Sequence, residues 1–351
     1  MNPQRVLVLY NEPLLPTTHP DYISEVEVLD NVDAVMATLT TAGYEVAALG
    51  VNEGPQEMLT GILEARPDAI VNLFEGTADN NASELYGAGL LEWLGIPYTG
   101  CPFHSLVLAR SKHQAKRLFQ AEGLPTAPFL VIERPGEIRT CPLRFPVIVK
   151  PAAQDASVGV EQASVVKDLA ALNARVAHVL EQFGGPVLVE EFVFGRELTV
   201  ALVEMPDLRL LPGTEVVFPT DAGPDYWPIL TYDAKWTKGS TEFETTDYHF
   251  KAELSGELGR KIEECAFRAF RLLGCRDYAR VDFRIRDNQP YILELNPNPD
   301  FAPDRAMSNN LWAAGLTHAE FTIQLVKNAL ARGAAGRSAR YRDLDRQVNP
   351  S

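Results

Sequence analysis

The sequence contains 351 residues, 46% of them hydrophobic, and carries a formal net charge of −15. This length and composition suffice for two or three domains around substantial cores. The acidic balance argues against a general nucleic-acid binder or a membrane-surface binder, because both need a basic face. It is compatible with a pocket for an anionic nucleotide, because a pocket depends on local charge.

Cysteine usage and apolar runs bear on the compartment. The four cysteines form no C-x-x-C pair, so the sequence indicates neither a zinc site nor a disulfide framework. The N-terminal residues lack a basic region followed by a long apolar one, and no apolar run approaches the roughly 20 residues of a membrane span. We therefore expect a cytoplasmic protein without a membrane or nucleic-acid partner.

The first part of the chain alternates strand-like and helix-like patterns. Apolar strands are predicted at residues 5–10 and 67–76, and residues 25–51 predict a helix, a stop at Gly43 and a second strand. Residues 82–100 predict a helix followed by a short strand. This alternation indicates a parallel α/β layer over roughly the first 105 residues.

The rest of the chain mixes strands and helices. Residues 109–202 predict a compact α+β lid, and further helices are predicted at 253–273 and 312–332. The last residues, 336–351, are polar with little periodicity and are expected to be a frayed tail.

Two apolar strands near the C-terminus carry a group of polar side chains. Residues 279–285 and 290–295 are strand-like and flank a polar turn cluster, which predicts a hairpin. Because side chains alternate faces, Glu294 and Asn296 share one face, and Arg280 and Asp282 share one face of the partner strand. If the register aligns these faces, two carboxylates meet, and a hard cation such as Mg²⁺ shared with phosphate groups would relieve their repulsion.

Three further segments have a functional and an ordinary interpretation each. Lys150 ends an apolar strand and precedes small residues that include Ser157 and Gly159, an arrangement suited to binding phosphate or to an ordinary hairpin with a surface lysine. A glutamate-rich segment could hold adenosine or form a solvated strand edge; its acids are Glu190, Glu191 and Glu197. Lys235, in Tyr-Asp-Ala-Lys-Trp, could close over a phosphate or belong to a plain loop.

The order of these segments along the chain resembles one enzyme superfamily. The sequence is similar to ATP-grasp ligases of the D-alanine–D-alanine ligase-like branch, over roughly residues 5–330. The resemblance implies a three-domain ATP-grasp fold, with an N-terminal parallel-sheet α/β domain and two α+β domains enclosing ATP. The expected boundaries are 1–107 for the substrate domain, 108–202 for the central lid, 203–335 for the catalytic domain and 336–351 for the tail.

The resemblance also implies roles for individual residues. The implied ATP-binding residues are Lys112, Lys150, Ser157, Gly159, Glu190, Glu191, Val193, Glu197 and Lys235. Asp282, Glu294 and Asn296 would hold two Mg²⁺ ions, with Mn²⁺ as an alternative. Arg280, Lys235 and Ser157 would act in catalysis, and the implied substrate-binding residues are Glu25, Trp236, Arg280, Asp300 and Arg305.

The implied activity is ATP-dependent amide formation between a small carboxylate and an amine. ATP would convert the carboxylate into an acyl phosphate, which the amine attacks with release of phosphate. A homodimer through the N-terminal α/β layer is likewise implied. Two other functions stay open: an ATP-grasp carboxylase or kinase, and a nucleotide-binding regulator without catalysis.

Several positions depart from the family pattern. The segment before Glu25 is longer and contains prolines, and Ser111 stands where an acidic residue precedes the lid lysine. Asp300 and Arg305 stand where the family places a glycine and a serine that hold the second substrate's carboxylate. An aspartate there would repel a carboxylate, so we expect that the substrates are not two D-alanines.

Overall fold

The computed structural model describes residues 3–15, 22–77, 80, 82–154, 157–220, 223, 225–252, 254, 256–303 and 305–333; for residues 22–25 it describes only the backbone. Within these residues the strands form three sheets, each accompanied by helices. The predicted tail lies outside the described residues. In the described part of the chain, no helix is both long enough and apolar enough to cross a bilayer.

The first sheet is parallel, as the sequence predicts. It has the order β2-β1-β3 and consists of β1 (Arg5–Asn11), β2 (Glu45–Val51) and β3 (Ala69–Leu73). Its helices are α1 (Tyr22–Thr41), α2 (Pro55–Ala65), α3 (Ser83–Leu94) and α4 (Phe103–Arg110). The chain turns from α1 into β2 at Gly43, whose φ of 88° is a conformation that favours glycine.

The second sheet forms the central lid. After α5 (Lys112–Ala121), it takes the antiparallel order β4-β7-β5-β6 and is covered by one long helix. Its elements are β4 (Phe129–Ile132), β5 (Val147–Pro151), β6 (Val165–Val166), α6 (Leu169–Phe183) and β7 (Val187–Glu191). Val149 and Val189 pack against Val176 and Val179 of α6, so an apolar helix face holds the lid together.

The third sheet carries the predicted hairpin. It has the order β11-β10-β8-β12-β13, with β9 paired to β8. Its strands are β8 (Arg196–Glu204), β9 (Leu208–Leu210), β10 (Gly213–Val217), β11 (Asp247–Ala252), β12 (Tyr278–Arg286) and β13 (Gln289–Pro297). Its helices are α7 (Tyr232–Trp236), α8 (Thr241–Thr245), α9 (Gly256–Leu272), α10 (Ala306–Ala313) and α11 (His318–Gly333).

The central strand β8 differs from the sequence-based division of the chain. We expected the lid to run to residue 202, but residues 196–204 pair with β12 in the third sheet. The strand is apolar on both faces, with Leu198, Val200 and Leu202 fully buried on one side. An apolar strand of this kind is typical of the centre of a sheet. Hydrophobic periodicity alone could not assign the strand to the lid or to the third sheet.

The N-terminal layer and the third sheet share one hydrophobic core. Val6 and Val35 of the first layer belong to the same buried cluster as Val203, Phe321 and Leu325. Because this core is continuous, the N-terminal layer and the third sheet pack directly against each other.

Candidate active site

The hairpin brings the predicted metal-binding side chains to one face. β12 and β13 are joined by Asp287 and Asn288, both with positive φ, which is the geometry of a tight two-residue hairpin turn. In this register Asp282 faces Glu294 and Arg280 faces Asn296. The hairpin prediction is therefore confirmed, and its register places the carboxylates side by side.

Direct contacts link the members of this group. The Asn296 amide donates to Asp282 at 3.1 Å, and the Arg280 guanidinium donates to both Asp282 oxygens at 3.0 and 3.1 Å. The Thr199 hydroxyl of β8 also donates to Asp282, at 3.0 Å. Asp282 is thus held by three neighbours, which fixes the direction of its carboxylate toward the cleft.

The donor set fits a magnesium ion that also binds phosphate. Two carboxylates and one amide are hard oxygen ligands of the kind that Mg²⁺ prefers. Among the described residues, no cluster gathers three or more Asp, Glu, His or Cys side chains in a metal-binding arrangement. An ion held by Asp282, Glu294 and Asn296 would therefore need phosphate oxygens and water to complete its coordination.

The cations predicted to bind phosphate converge on Glu294. The Lys112 Nζ atom lies 2.8 Å from the Glu294 carboxylate. Burial would raise the pKa of Glu294, but the ammonium groups of Lys112, Lys150 and Lys235 outweigh it and hold this pKa below its usual range. Glu294 is therefore ionised, and three lysines surround it.

A buried ion network lies on the lid side of the cleft. Glu190 is only 1% exposed, and its two oxygens each lie 2.6 Å from an ammonium group, those of Lys116 and Lys150. Burial would raise the pKa of Glu190, but the two lysines outweigh it and lower the pKa. Lys150 thus reaches from β5 to a glutamate of β7, between the predicted adenine side and the predicted phosphate side.

The small-residue loop after β5 is tied to the segment that carries Lys235. The Ser157 hydroxyl donates to the Leu230 carbonyl at 2.9 Å, and the Tyr232 amide donates to the Val160 carbonyl at 3.0 Å. Gly159 has a φ of 75°, and a Cβ there would lie 2.8 Å from Pro151. The predicted closing loop is the short helix α7, and it is coupled to the predicted phosphate loop.

Glu197 lines the cleft and is paired with an arginine. It is buried, and the Arg284 guanidinium contacts its carboxylate at 2.7 Å. Burial raises the pKa of Glu197, and Arg284 opposes that shift. Glu191 is partly buried and accepts from the Arg144 amide at 3.0 Å.

One cleft collects most of the residues named from the sequence. It has a volume of about 760 Å³ and opens between the lid, the hairpin and α7. The predicted residues that line it are Lys112, Lys150, Ser157, Glu190, Glu191, Val193, Glu197, Lys235, Trp236, Arg280, Asp282, Glu294, Asn296 and Arg305. Residues from the second and third sheets thus meet at one opening large enough for a nucleotide.

Comparison with known proteins decides the family. A family model described as the D-ala D-ala ligase C-terminus matches residues 118–327. The chain is also 32% identical to the D-alanine–D-alanine ligase of Desulforudis audaxviator (strain MP104C), over 85% of this chain and 92% of that protein. This chain belongs to the D-alanine–D-alanine ligase family.

Other relatives and solved structures agree with this assignment. An uncharacterised protein of Sinorhizobium fredii (strain NBRC 101917 / NGR234), y4sG, is 32% identical over 78% of this chain and 80% of its own length. D-Alanine–D-alanine ligase from Bacillus anthracis complexed with ATP superposes with a TM-score of 0.74 at 22% identity, covering 96% of this chain and 100% of that one. VanG D-Ala:D-Ser ligase from Enterococcus faecalis gives a TM-score of 0.69 at 17% identity, covering 93% and 99% of the two chains. The predicted ATP-grasp ligase resemblance and fold class are confirmed.

At the substrate end of this member of the ligase family, Arg305 lies beside two acids. The resemblance implies that Arg305 binds substrate, and in this structure its guanidinium lies 2.7 Å from Glu27 and 3.6 Å from Asp300. Asp300 also accepts from the Ala302 amide at 2.8 Å. Glu25 is in α1, and its side chain lies outside the described residues, whereas Glu27 of the same helix reaches Arg305.

Sequence reasoning missed three residues of this site in the ligase-family chain. Lys116 binds Glu190, Arg284 binds Glu197, and Glu27 binds Arg305. Arg284 follows Arg280 and Asp282 at a spacing of two, so strand alternation could have found it. Lys116 is a lysine on the apolar face of α5 beside buried Ala115 and Phe119, and that anomaly was the available signal.

Proposed function

We propose that this protein is an ATP-dependent carboxylate–amine ligase that forms an amide bond and releases ADP and phosphate. The observation that carries this proposal is the convergence of Lys112, Lys150, Lys235 and Arg280 on the carboxylates of one hairpin, inside a cleft of about 760 Å³. The four cations outnumber the two hairpin carboxylates, Asp282 and Glu294, so the site has room for a polyanion. The same two carboxylates suit a divalent metal ion.

The reaction needs positioning and charge neutralisation more than covalent help from the protein. A carboxylate oxygen of the first substrate attacks the terminal phosphorus of ATP, and the bond to the bridging oxygen of ADP breaks. Lys235 and Arg280 line the cleft, and in this proposal they stabilise the negative charge on the transferred group. The amine nitrogen then attacks the acyl carbon, phosphate leaves, and the nitrogen loses a proton.

Magnesium would be held by Asp282, Glu294 and Asn296. When bound, it would neutralise charge on the phosphate oxygens during transfer. Arg280 keeps Asp282 oriented through two hydrogen bonds, and Lys112 keeps Glu294 ionised. The metal-binding carboxylates are thus oriented and ionised before the nucleotide binds.

The substrate end supports a pair of substrates other than two D-alanines. A free carboxylate at the position of the family glycine and serine would meet Asp300, and the nearby Arg305 is paired with Glu27 at 2.7 Å. We therefore propose that at least one substrate lacks a carboxylate at this point.

The test is ATP turnover with a panel of carboxylates, each supplied with hydroxylamine as a small amine. We expect ADP release that depends on both the carboxylate and Mg²⁺, with formation of the matching hydroxamate. Tight ATP binding with no turnover on any panel member would overturn ligase function and favour a regulator. ADP release with bicarbonate alone would favour a carboxylase.

We further propose a homodimer in the cytoplasm. The exposed aromatic side chains of Tyr86 and Trp93 lie two turns apart on α3, so they share one face of the N-terminal layer. The four cysteines are free, which suits a reducing compartment. Light scattering of the purified protein would give the mass of the assembly. Trp93→Glu places a charge on the proposed interface and should shift the dimer toward the monomer.

A further inference from the structure

A second cavity opens beside the proposed reaction centre. It has a volume of about 160 Å³ and lies between α1, the end of β3 and the loop that follows β13. Glu75 and Trp236 line both this cavity and the main cleft, so the two are continuous. A substrate bound in the cleft can therefore extend a group into the cavity.

The described lining of this cavity carries acids and no basic side chain. Its four carboxylates belong to Glu27, Glu75, Glu84 and Asp300. Arg305, which lines the main cleft, is the cation that pairs with two of them, Glu27 and Asp300. Even without Glu84, three carboxylates against one guanidinium leave two negative charges when all are ionised.

A buried amide gives a second, independent indication of a ligand. Asn31 of α1 lines the cavity and is 4% exposed, and its Oδ1 atom has no hydrogen-bond partner among the described residues. Its Nδ2 atom donates to Asp300 at 3.4 Å, which fixes the orientation of the amide. A buried acceptor without a donor is costly, and a donor in the cavity would satisfy it.

Glu75 supports the same conclusion. Its side chain is exposed to the cavity and to the main cleft, both of which it lines. Burial raises the pKa of Glu75 to about 7, and the charge of Asp300 adds to the shift. A cation placed between these two acids would relieve their repulsion.

We infer that this cavity binds a cationic group of the substrate in addition to its α-ammonium group, so that one substrate of the proposed ligase is a diamino acid or a comparable diamine. This inference rests on the proposed function. One α-ammonium group would compensate one of the two negative charges, and the second ammonium group would compensate the other. An ammonium group also brings three N–H donors to a cavity whose free atoms are acceptors.

The experiment compares probes that differ by one ammonium group. The pairs are 2,4-diaminobutyrate with 2-aminobutyrate and lysine with norleucine, each in both configurations. ADP release by the full chain with ATP and Mg²⁺ is measured with hydroxylamine as the amine, and with D-alanine as the other substrate. A preference for the diamino probe is then detected whether the probe serves as the carboxylate substrate or as the amine substrate.

We expect kcat/KM for the diamino member of at least one pair to exceed its neutral counterpart by on the order of tenfold or more, as for one charge-assisted hydrogen bond. Glu75→Gln and Asp300→Asn should each bring that ratio toward one. Asp33→Asn, an exposed acid of the same helix α1 that does not line the cavity, should leave the ratio unchanged. Thermal denaturation shows which variants fold. If Asp300→Asn does not fold, the isosteric variant Glu75→Gln alone provides the test.

Equal use of both members of each pair, or a preference that both variants retain, would overturn the inference while leaving ligase function intact. Turnover with none of these probes would also overturn it. The proposed function fails separately, when no carboxylate of the wider panel supports ADP release.

Discussion

The Lys112 ammonium group and the Glu294 carboxylate form an ion pair of 2.8 Å across the interface between α5 and β13. Lys112 is a proposed phosphate ligand and Glu294 a proposed metal ligand, so the pair joins the two halves of the site. Nucleotide and Mg²⁺ would each take over one partner of this pair. The free protein thus keeps both charges compensated in the positions where the ligands need them.

Glu294→Gln should remove most metal-dependent turnover and leave the fold intact. The amide keeps the shape of the side chain but removes a negative charge from the metal-binding set. We expect the rate to fall at least about a hundredfold, more than the loss usually seen for residues that only support a metal ligand. ADP release measured against Mg²⁺ concentration checks this, with the exposed Glu264→Gln of α9 as the control. Unchanged turnover would mean that the metal lies elsewhere.

Arg280→Lys should lower kcat although it preserves the charge. The guanidinium donates to both oxygens of Asp282, a two-pronged contact that an ammonium group cannot reproduce. We expect a loss in kcat of about 10²-fold or more, comparable to removing one transition-state donor. Steady-state kinetics with saturating ATP separates this from a KM effect, and a change confined to KM for ATP would argue against the proposed role.

The hairpin was predictable because two independent patterns agreed. Its strands alternate apolar and polar side chains, and the residues between them favour a turn. The shared face of Glu294 with Asn296, and that of Arg280 with Asp282, therefore followed from the period of two. The pairing of Asp282 with Glu294 required the register, which depends on the type of turn at Asp287 and Asn288. The local sequence therefore predicts which face of its own strand each acid occupies. Which residues lie opposite each other depends on the pairing of the two strands.

Tertiary pairing explains what the sequence could not predict. Lys116 and Glu190 are separated by 74 positions and meet only because the fold brings the side chains of α5 and β7 together. Arg305 looked available for a substrate because Glu27 lies on a different domain in the chain order. In both cases the partner of the charged residue comes from another element. The role of such a residue cannot be inferred from the segment that contains it.

Lys116→Met should destabilise the protein and weaken ATP binding. The change leaves Glu190 in a buried position with Lys150 as its remaining cation, and it also removes the hydrogen bond to Thr126 at 2.8 Å. Breaking a buried pair costs up to about 3–5 kcal/mol. Chemical denaturation measures the free energy of unfolding. Lys167→Met is the control, because its pair with Asp225 is largely exposed and should contribute no more than about 1 kcal/mol. Equal effects of the two substitutions would contradict the buried network.

Asp300→Gly combined with Arg305→Ser should increase the use of D-alanine. The pair of changes restores the glycine and serine that the family resemblance implies at these positions, and it removes the acid that opposes a carboxylate. We expect D-alanine-dependent ADP release and dipeptide formation above those of the unmodified protein. Arg305→Ser alone is the comparison, because it keeps Asp300 and leaves Glu27 without its guanidinium. Robust dipeptide formation from D-alanine by the unmodified protein would overturn the proposed substrate restriction.

Glu75→Gln should stabilise the protein at alkaline pH and have little effect at acidic pH. The pKa of Glu75 is about 7 in the fold against about 4.5 without it, because burial and the charge of Asp300 disfavour the ionised form. The folded state therefore holds its proton more tightly, so stability falls as the pH rises from 4.5 and the loss is complete above 7. Melting temperatures at pH 5 and pH 8 check this: the gain from Glu75→Gln should appear at pH 8 and shrink toward zero at pH 5, whereas the exposed Glu64→Gln of α2 should show no such difference. A gain of the same size at both pH values would mean that Glu75 is not the group that titrates.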